Sequence, residues 1–370
     1  MKTKAAVVIE PGKPIEIEEL TLDGPRENEV LIQYLYGGLC HSDVHISIGD
    51  TIARLPMVLG HEGAGVIHET GPGVSRVKPG DRVVCSFTPN CGKCKYCATG
   101  RSSVCDMSAP MLEGYLPGPR FPITGPRGDY GAMCLLGTFS QYGVIHESSA
   151  IKVDDDLPLD KAVLVGCGVP TGWGAAVNTG QVKPGDYVVI YGIGGIGINA
   201  VQGAKHAGAS EIVAVDPLAN KRSKARELGA TQAFATAREA QNFIDHLTNG
   251  QGADCAIITT DLITDETVTD AFNIIGRCGN VVLTALNRVD EITIKLPSAP
   301  MSYFRKHLRG SLYGDCNPAV DIPRLLRMYK GGQIKLDELV TKTYRLEDVN
   351  QGYDDLLNGK NIRGVIVHEH

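Results

Sequence analysis

Cys91, Cys94, Cys97 and Cys105 stand in the loop NCGKCKYCATGRSSVC with the spacing C-x2-C-x2-C-x7-C. Four thiolates this close can surround one tetrahedral metal ion, and zinc is the usual occupant. A closed four-cysteine shell has no open coordination position. A metal held there braces a lobe, residues 90–106, and does no chemistry. Two other fates fit these cysteines less well. Disulfides need an oxidising compartment, and the N-terminal MKTKAAVVIEPG turns polar too soon for a signal peptide. The bacterial ferredoxin run closes with a three-residue gap and a Cys-Pro. Here the last gap is seven residues and Asp106 follows Cys105.

A second chemistry is written in Gly192-Ile-Gly194-Gly195-Ile196-Gly197. This is G-x-G-x-x-G directly after the strand candidate Tyr187–Ile190 and before a helical stretch, the context that gives the motif meaning. Gly192 permits the tight turn, Gly194 lets the backbone approach a pyrophosphate, and Gly197 lets helix and strand pack closely. The helix N-terminus then offers unpaired N–H groups to the phosphates. A lone glycine motif would say little in a chain with 44 glycines. Asp216, 19 residues after Gly197 at the end of EIVAVD, completes the fingerprint. An acid there holds the ribose hydroxyls and repels a 2′-phosphate, favouring NAD over NADP. Lys221, one turn into the next helix, is a further candidate for the adenosine ribose, although a solvated helix lysine would look the same.

A metal that does chemistry needs three protein ligands and one open position. GGLCHSDVH offers Cys40, GHEGAG offers His61 and LVGCGVPTGWG offers Cys167. Two thiolates and an imidazole would leave the ion a neutral shell and room for an alcohol or water. Spacing does not join these residues, which lie 21 and 106 positions apart. Taken singly, a buried cysteine is a small hydrophobe and a histidine between glycines can be structural.

These residues need a scaffold. With 370 residues there is length for two or three domains. Hydrophobic residues make up 43% and charged residues 21%, ordinary for a soluble globular chain. The net charge of -6 argues against a nucleic-acid or anionic-membrane partner. Eleven cysteines without an export signal suggest the reducing cytoplasm. Up to about Pro158 the pattern is short β-rich runs such as KAAVVI, EVLIQYLYG, GAGVIHETG and DRVVCSF. From about Thr171, apolar strands (YVVIYG, EIVAVD, CAIITT, NVVLTAL) alternate with helical stretches near Asn199–Ala207 and Lys221–Leu228, which marks βαβ units on a parallel sheet. The tail holds a helical run, DIPRLLRMYKGG, and a strand, GVIVHE, that returns to the first domain. The expected division is therefore 1–169 with 308–370 around 170–307.

The chain resembles the zinc-dependent medium-chain alcohol dehydrogenases over essentially its whole length. The likeness is carried by GLCHSDVH, GHEGAGVIHETGPGVSRVKPGDRV, the four-cysteine lobe, GTFSQY, GCGVPTGWGAAVNTGQVKPGD, GIGGIG and GYDDLLNGKNIRGVIV. It implies an α/β chain with a β-rich GroES-like catalytic domain and a Rossmann domain whose parallel sheet is doubly wound. It implies two Zn2+ per chain and NAD(H), with Cys40, His61 and Cys167 on the catalytic zinc. Glu62 would sit behind that metal or ligate it transiently, and Asp43 would fix the tautomer of a ligating histidine. Ser42 and His45 would carry the alcohol proton outward. His41, Thr171, Gly195, Ile196 and Arg363 would join the cofactor contacts, with Arg363 reaching its phosphates. His41 stands where many relatives carry arginine, so the cation there is weaker and pH-dependent.

The implied reaction is the interconversion of primary alcohols and aldehydes by hydride transfer. AMCLLGTFSQY, GCGVPTGWG and YGIGGIGINAVQGAKHAG carry a nearer likeness to the nicotinoprotein branch, which keeps NAD(H) bound and passes electrons to a nitroso-aniline dye. A thiol-dependent formaldehyde dehydrogenase shares every one of the main motifs. A non-enzymatic scaffold or a zinc-free quinone reductase is disfavoured because all three ligands and both relay residues survive. The resemblance further implies a homo-oligomer, dimer or higher, with a strand near Asn280–Leu286 as a pairing edge. Trp173 is read as lining the nicotinamide side or as packing, and His368 and His370 as a tail.

Overall fold

The computed structural model describes residues 1–285, 288 and 293–370. The chain forms two compact units, Met1–Cys167 with Asn317–His370, and Gly168–Cys316.

In the first unit a closed barrel joins Lys2–Val8, Glu16–Leu22, Ile123–Gly125, Gly128–Ala132 and Met57–Val58. Its interior is filled by Val7, Leu20, Val58, Ile123 and Tyr130, the inward members of alternating strands. A seven-stranded sheet lies in the same unit, organised by the long strand Glu29–Gly38. One edge of that strand pairs throughout with Gly63–Thr70. The other edge is shared: Glu29–Gln33 pair with Tyr142–His146, and Tyr36–Gly38 pair with the C-terminal strand Arg363–Val367. This sharing is how the last segment of the chain joins the first unit. It also brings Arg363 to the strand end that precedes Cys40.

The helix Pro318–Lys330 begins at Asn317, whose side-chain oxygen accepts from Ala319 N at 3.2 Å, and it buries Ile322, Leu325 and Leu326 at helical spacing. His368 and His370 are not a loose tail. His368 is 6% exposed and donates from Nε2 to the Thr138 carbonyl at 2.9 Å, and His370 donates to the Tyr34 carbonyl at 2.8 Å. The last strand carries them against its neighbour's backbone, so terminal position gave the wrong expectation.

In the second unit six strands run parallel in the order Gln232–Phe234, Glu211–Val215, Tyr187–Tyr191, Ala253–Ile258, Ile275–Leu283, His307–Gly310. Numbered along the unit, this is 3-2-1-4-5-6, the doubly wound dinucleotide-binding arrangement. Near-continuous apolar strands suit a parallel sheet covered on both faces. Val189, Val213, Ala256 and Val281 pack with Ile244, Val268 and Phe272 from the helices Ala237–Thr248 and Asp265–Ile274. The expected return to the first domain at 308 is displaced to 317. His307–Gly310 is the sixth strand, pairing with Asn280–Leu283. A four-residue edge strand reading HLRG carries too little apolar signal to be recognised. The strand expected near Asn280–Leu286 is seen to Leu283, and Leu286 lies outside the described residues.

Candidate functional site

In the lobe, Cys91, Cys94, Cys97 and Cys105 bring their sulfurs within 4.8 Å of one another. Cys91 Sγ and Cys97 Sγ are 3.9 Å apart, as are Cys94 Sγ and Cys105 Sγ. Sulfurs about 2.3 Å from a central zinc form a tetrahedron with edges of about 3.8 Å. The backbone is arranged to favour thiolates: Cys94 N donates to Cys91 Sγ at 3.3 Å and Cys97 N to Cys94 Sγ at 3.4 Å. Donation from Cys97 and then Asp106 N–H lowers the Cys94 pKa to about 6, while burial pushes Cys105 up to about 12. A divalent cation would settle that imbalance by replacing the thiol protons.

The second group is Cys40, His61, Glu62 and Cys167, all buried, again with ligand atoms within 4.8 Å of one another. Residues that sequence spacing could not join are thus brought to one point of the first unit. Cys40 ends the loop after the strand Glu29–Gly38 and precedes the helix His41–Ile48. Asp43, in that helix's first turn, accepts from Cys40 N at 3.2 Å and Gly60 N at 3.1 Å. An acid there suits the positive end of the helix. Its Oδ1 also accepts from His61 Nδ1 at 3.2 Å. That bond puts the ring proton on Nδ1 and leaves Nε2, buried and without a partner, as a lone-pair donor. Gly60 makes the bend possible: its φ is +91°, and a Cβ would come within 2.6 Å of Phe139 N. The Phe87 ring stands edge-on to His61 at 5.8 Å.

The electrostatics fit a cation. Sharing the Cys167 proton holds Cys40 well below the usual thiol range, and the same sharing, with burial, raises Cys167. Burial opposes charge on His61, but the Asp43 and Cys40 charges outweigh it and raise its pKa. Glu62 is raised by burial and partly restored by Arg363, with which it forms a buried ion pair. The structure pairs Arg363 with Glu62, a partner the sequence reading did not name. A buried carboxylate requires a counter-charge, and the C-terminal strand supplies it.

Ser42 and His45 lie on the first turns of the helix His41–Ile48 with His41. Ser42 Oγ is 3.8 Å from Cys40 Sγ. His45 is buried, and its Nδ1 is 3.2 Å from Asp50 Oδ2. Sequence reading passed over Asp50 and Phe87. Asp50 was within reach of a local argument, being five residues after His45.

In the second unit Gly192 has φ +84° and turns the chain out of the strand Tyr187–Tyr191. A Cβ on Gly197 would meet Gly192 O at 1.9 Å, whereas one on Gly194 would meet nothing within 4 Å. The loop is tight where helix meets strand and open where a pyrophosphate would lie. Gly195 and Ile196 continue this loop, half-buried, into the helix Gly197–Ala207. Asp216 Oδ2 accepts from Ile193 N at 2.8 Å and Oδ1 from Leu218 N at 2.9 Å, so the acid is locked to the loop it serves. Lys221 is half-buried on the helix Ala219–Leu228, and Thr171 is buried in the helix Gly168–Gly174. Trp173, in the same short helix, is 2% exposed and stacks obliquely on His206 at 5.6 Å, a packing role.

The model of the alcohol dehydrogenase GroES-like domain matches residues 26–155, and that of the zinc-binding dehydrogenases matches residues 195–330. An NDMA-dependent alcohol dehydrogenase of Amycolatopsis methanolica is 60% identical over 368 residues, covering 100% of this chain and 99% of the relative. An S-(hydroxymethyl)glutathione dehydrogenase of Paracoccus denitrificans is 34% identical over 382 residues, with 100% of each chain covered. The crystal structure of benzyl alcohol dehydrogenase from Acinetobacter calcoaceticus matches with a TM-score of 0.92, at 28% identity and 100% coverage of both chains. Two cysteine-rich groups that fit two zinc ions agree with these likenesses. The chain belongs to the zinc-binding medium-chain alcohol dehydrogenase family.

Proposed function

We propose that the protein interconverts primary alcohols and aldehydes with NAD(H), on a zinc held by Cys40, His61 and Cys167. The observation that carries this is the buried trio of donor atoms with His61 Nε2 unpartnered among them. When bound, zinc supplies Lewis acidity toward an alcohol oxygen and the nicotinamide ring accepts the hydride. The chain's own residues do the rest. Asp43 holds the His61 tautomer. Ser42 receives the alcohol proton, and His45, oriented by Asp50, passes it toward solvent. The Asp216 carboxylate selects the unphosphorylated ribose.

The finer reading is a nicotinoprotein, in which NAD(H) stays bound and an external acceptor reoxidises it. Its support is the full-length likeness to an NDMA-dependent enzyme. Purified protein should show the absorbance of bound reduced nicotinamide after alcohol is added, and should turn over with a nitroso-aniline dye. Protein that arrives without nicotinamide and turns over with free NAD alone contradicts it. A thiol-dependent formaldehyde dehydrogenase is the second reading, favoured by the 34% likeness. It requires a rate that depends on added low-molecular-weight thiol. All eleven cysteines are free of disulfides, in keeping with a cytoplasmic protein. Among the described residues no helix is long and apolar enough to cross a membrane. A homo-oligomer, dimer or higher, completes the proposal, and light scattering tests it.

A further inference from the structure

Asn199 and Gln202 sit in the helix Gly197–Ala207 beside Ile198, Ala200, Val201 and Ala204, and they are only 2% and 5% exposed. Buried amides are costly unless their hydrogen bonds are made. These two form a chain. Gln202 Nε2 donates to Asn199 Oδ1 at 3.0 Å, and Asn199 Nδ2 donates to the Gly195 carbonyl at 2.8 Å. A carbonyl can only accept, which fixes the orientation of the Asn199 amide. The chain of amides ends on the glycine loop.

The Gly195 carbonyl needs this partner. In a regular helix it would accept from Asn199 N, but that N–H goes to Ile196 O at 3.0 Å. Little room is left for water to replace it. A Cβ on Gly172 would come within 2.1 Å of Ile196 O and 2.8 Å of Asn199 Cβ, so the helix Gly168–Gly174 closes this side. The Gly195 carbonyl and the Ile196 N–H belong to one trans peptide and point opposite ways. Pinning the carbonyl toward the buried amide turns the Ile196 N–H outward. Among the described residues, the N–H groups of Gly194, Gly195 and Ile196 make no hydrogen bond. They are the orphan donors of a helix start. The loop ahead of them is held as well, by Asp216 on Ile193 N and by Thr259 Oγ1 donating to Gly192 O.

We propose that Asn199, braced by Gln202, is a positioning residue for the pyrophosphate of NAD(H). It sets the Ile196 N–H before the cofactor arrives and slows the cofactor's release. Donors fixed in advance lose little freedom on binding. Asn199 acts only through the peptide it holds. The inference rests on the reading that NAD(H) lies on this loop.

The test measures binding of ADP-ribose and of adenosine to cofactor-free full-length protein by calorimetry. ADP-ribose carries the pyrophosphate and adenosine does not. Asn199→Leu with Gln202→Met roughly keeps the volume and removes both amides together, so neither is stranded. It should weaken ADP-ribose binding by about tenfold, the scale of one hydrogen bond to a charged group, and leave adenosine at the parent affinity. Release of bound NADH, followed by its fluorescence, should quicken by a similar factor. Asn199→Ser keeps a donor that reaches the carbonyl four residues back, and should hold ADP-ribose within about threefold of the parent. Equal ADP-ribose affinity in parent and double variant overturns the proposal. So does equal weakening of both ligands with a lowered melting temperature, which would mean a loosened fold. An Asn199→Ser protein that binds ADP-ribose as weakly as the double variant overturns it too. A parent that binds no ADP-ribose contradicts the dinucleotide reading itself, before Asn199 is altered.

Discussion

Arg363 and Glu62, 301 positions apart in sequence, form an ion pair that is at most 4% exposed on either side chain. Each makes the other tolerable. Glu62 stands among the thiols, where an unpaired carboxylate would be expelled or protonated, and Arg363 arrives on the last strand to prevent this. Replacing Glu62 by Gln therefore leaves a buried guanidinium without a counter-charge. Losing one partner of a buried pair costs roughly 3–5 kcal/mol. Glu62→Gln should lower stability to denaturant by that order, and Glu62→Gln with Arg363→Met should recover much of it. A Glu62→Gln protein as stable as the parent would contradict this role.

Asp216 is tied by two backbone N–H groups, so its carboxylate is fixed before any cofactor arrives. Asp216→Asn keeps the shape and removes the charge. Calorimetric titration of cofactor-free protein should show NAD binding weakened by about tenfold, the scale of one charge-assisted hydrogen bond. NADP binding should improve, because its 2′-phosphate no longer meets a like charge. An unchanged ratio of the two affinities would sink the assignment.

His368 gives a pH dependence with a definite sign. Burial lowers its pKa to about 4, against an ordinary value near 6.5. The unfolded chain therefore takes up the proton first as pH falls. Stability is unaffected by this group above about 6.5 and is lost progressively between about 6.5 and 4, by up to about 3 kcal/mol. Unfolding midpoints measured across that window should fall with pH, and His368→Gln should flatten the slope. An equal slope in both proteins would contradict the account.

Much of the site was legible because two of its parts are local. The four lobe cysteines lie within 15 residues, and the glycine loop with Asp216 spans one βαβ step. Their chemistry and geometry are set by the same short stretch of chain. Cys40, His61 and Cys167 are joined only by tertiary structure, so the family likeness had to connect them. The pairing of Arg363 with Glu62 was not legible because the two lie 301 positions apart and only tertiary structure joins them. The strand His307–Gly310 failed to register because edge strands carry little apolar pattern.

The most direct measurement is metal content and alcohol turnover on the same sample of His61→Ala, folded and loaded with NAD. The parent should hold two zinc ions per chain and the variant one, with turnover reduced to background while the melting temperature of the second unit and the four-cysteine zinc persist. A variant that retains parental turnover would remove the buried trio from the chemistry altogether.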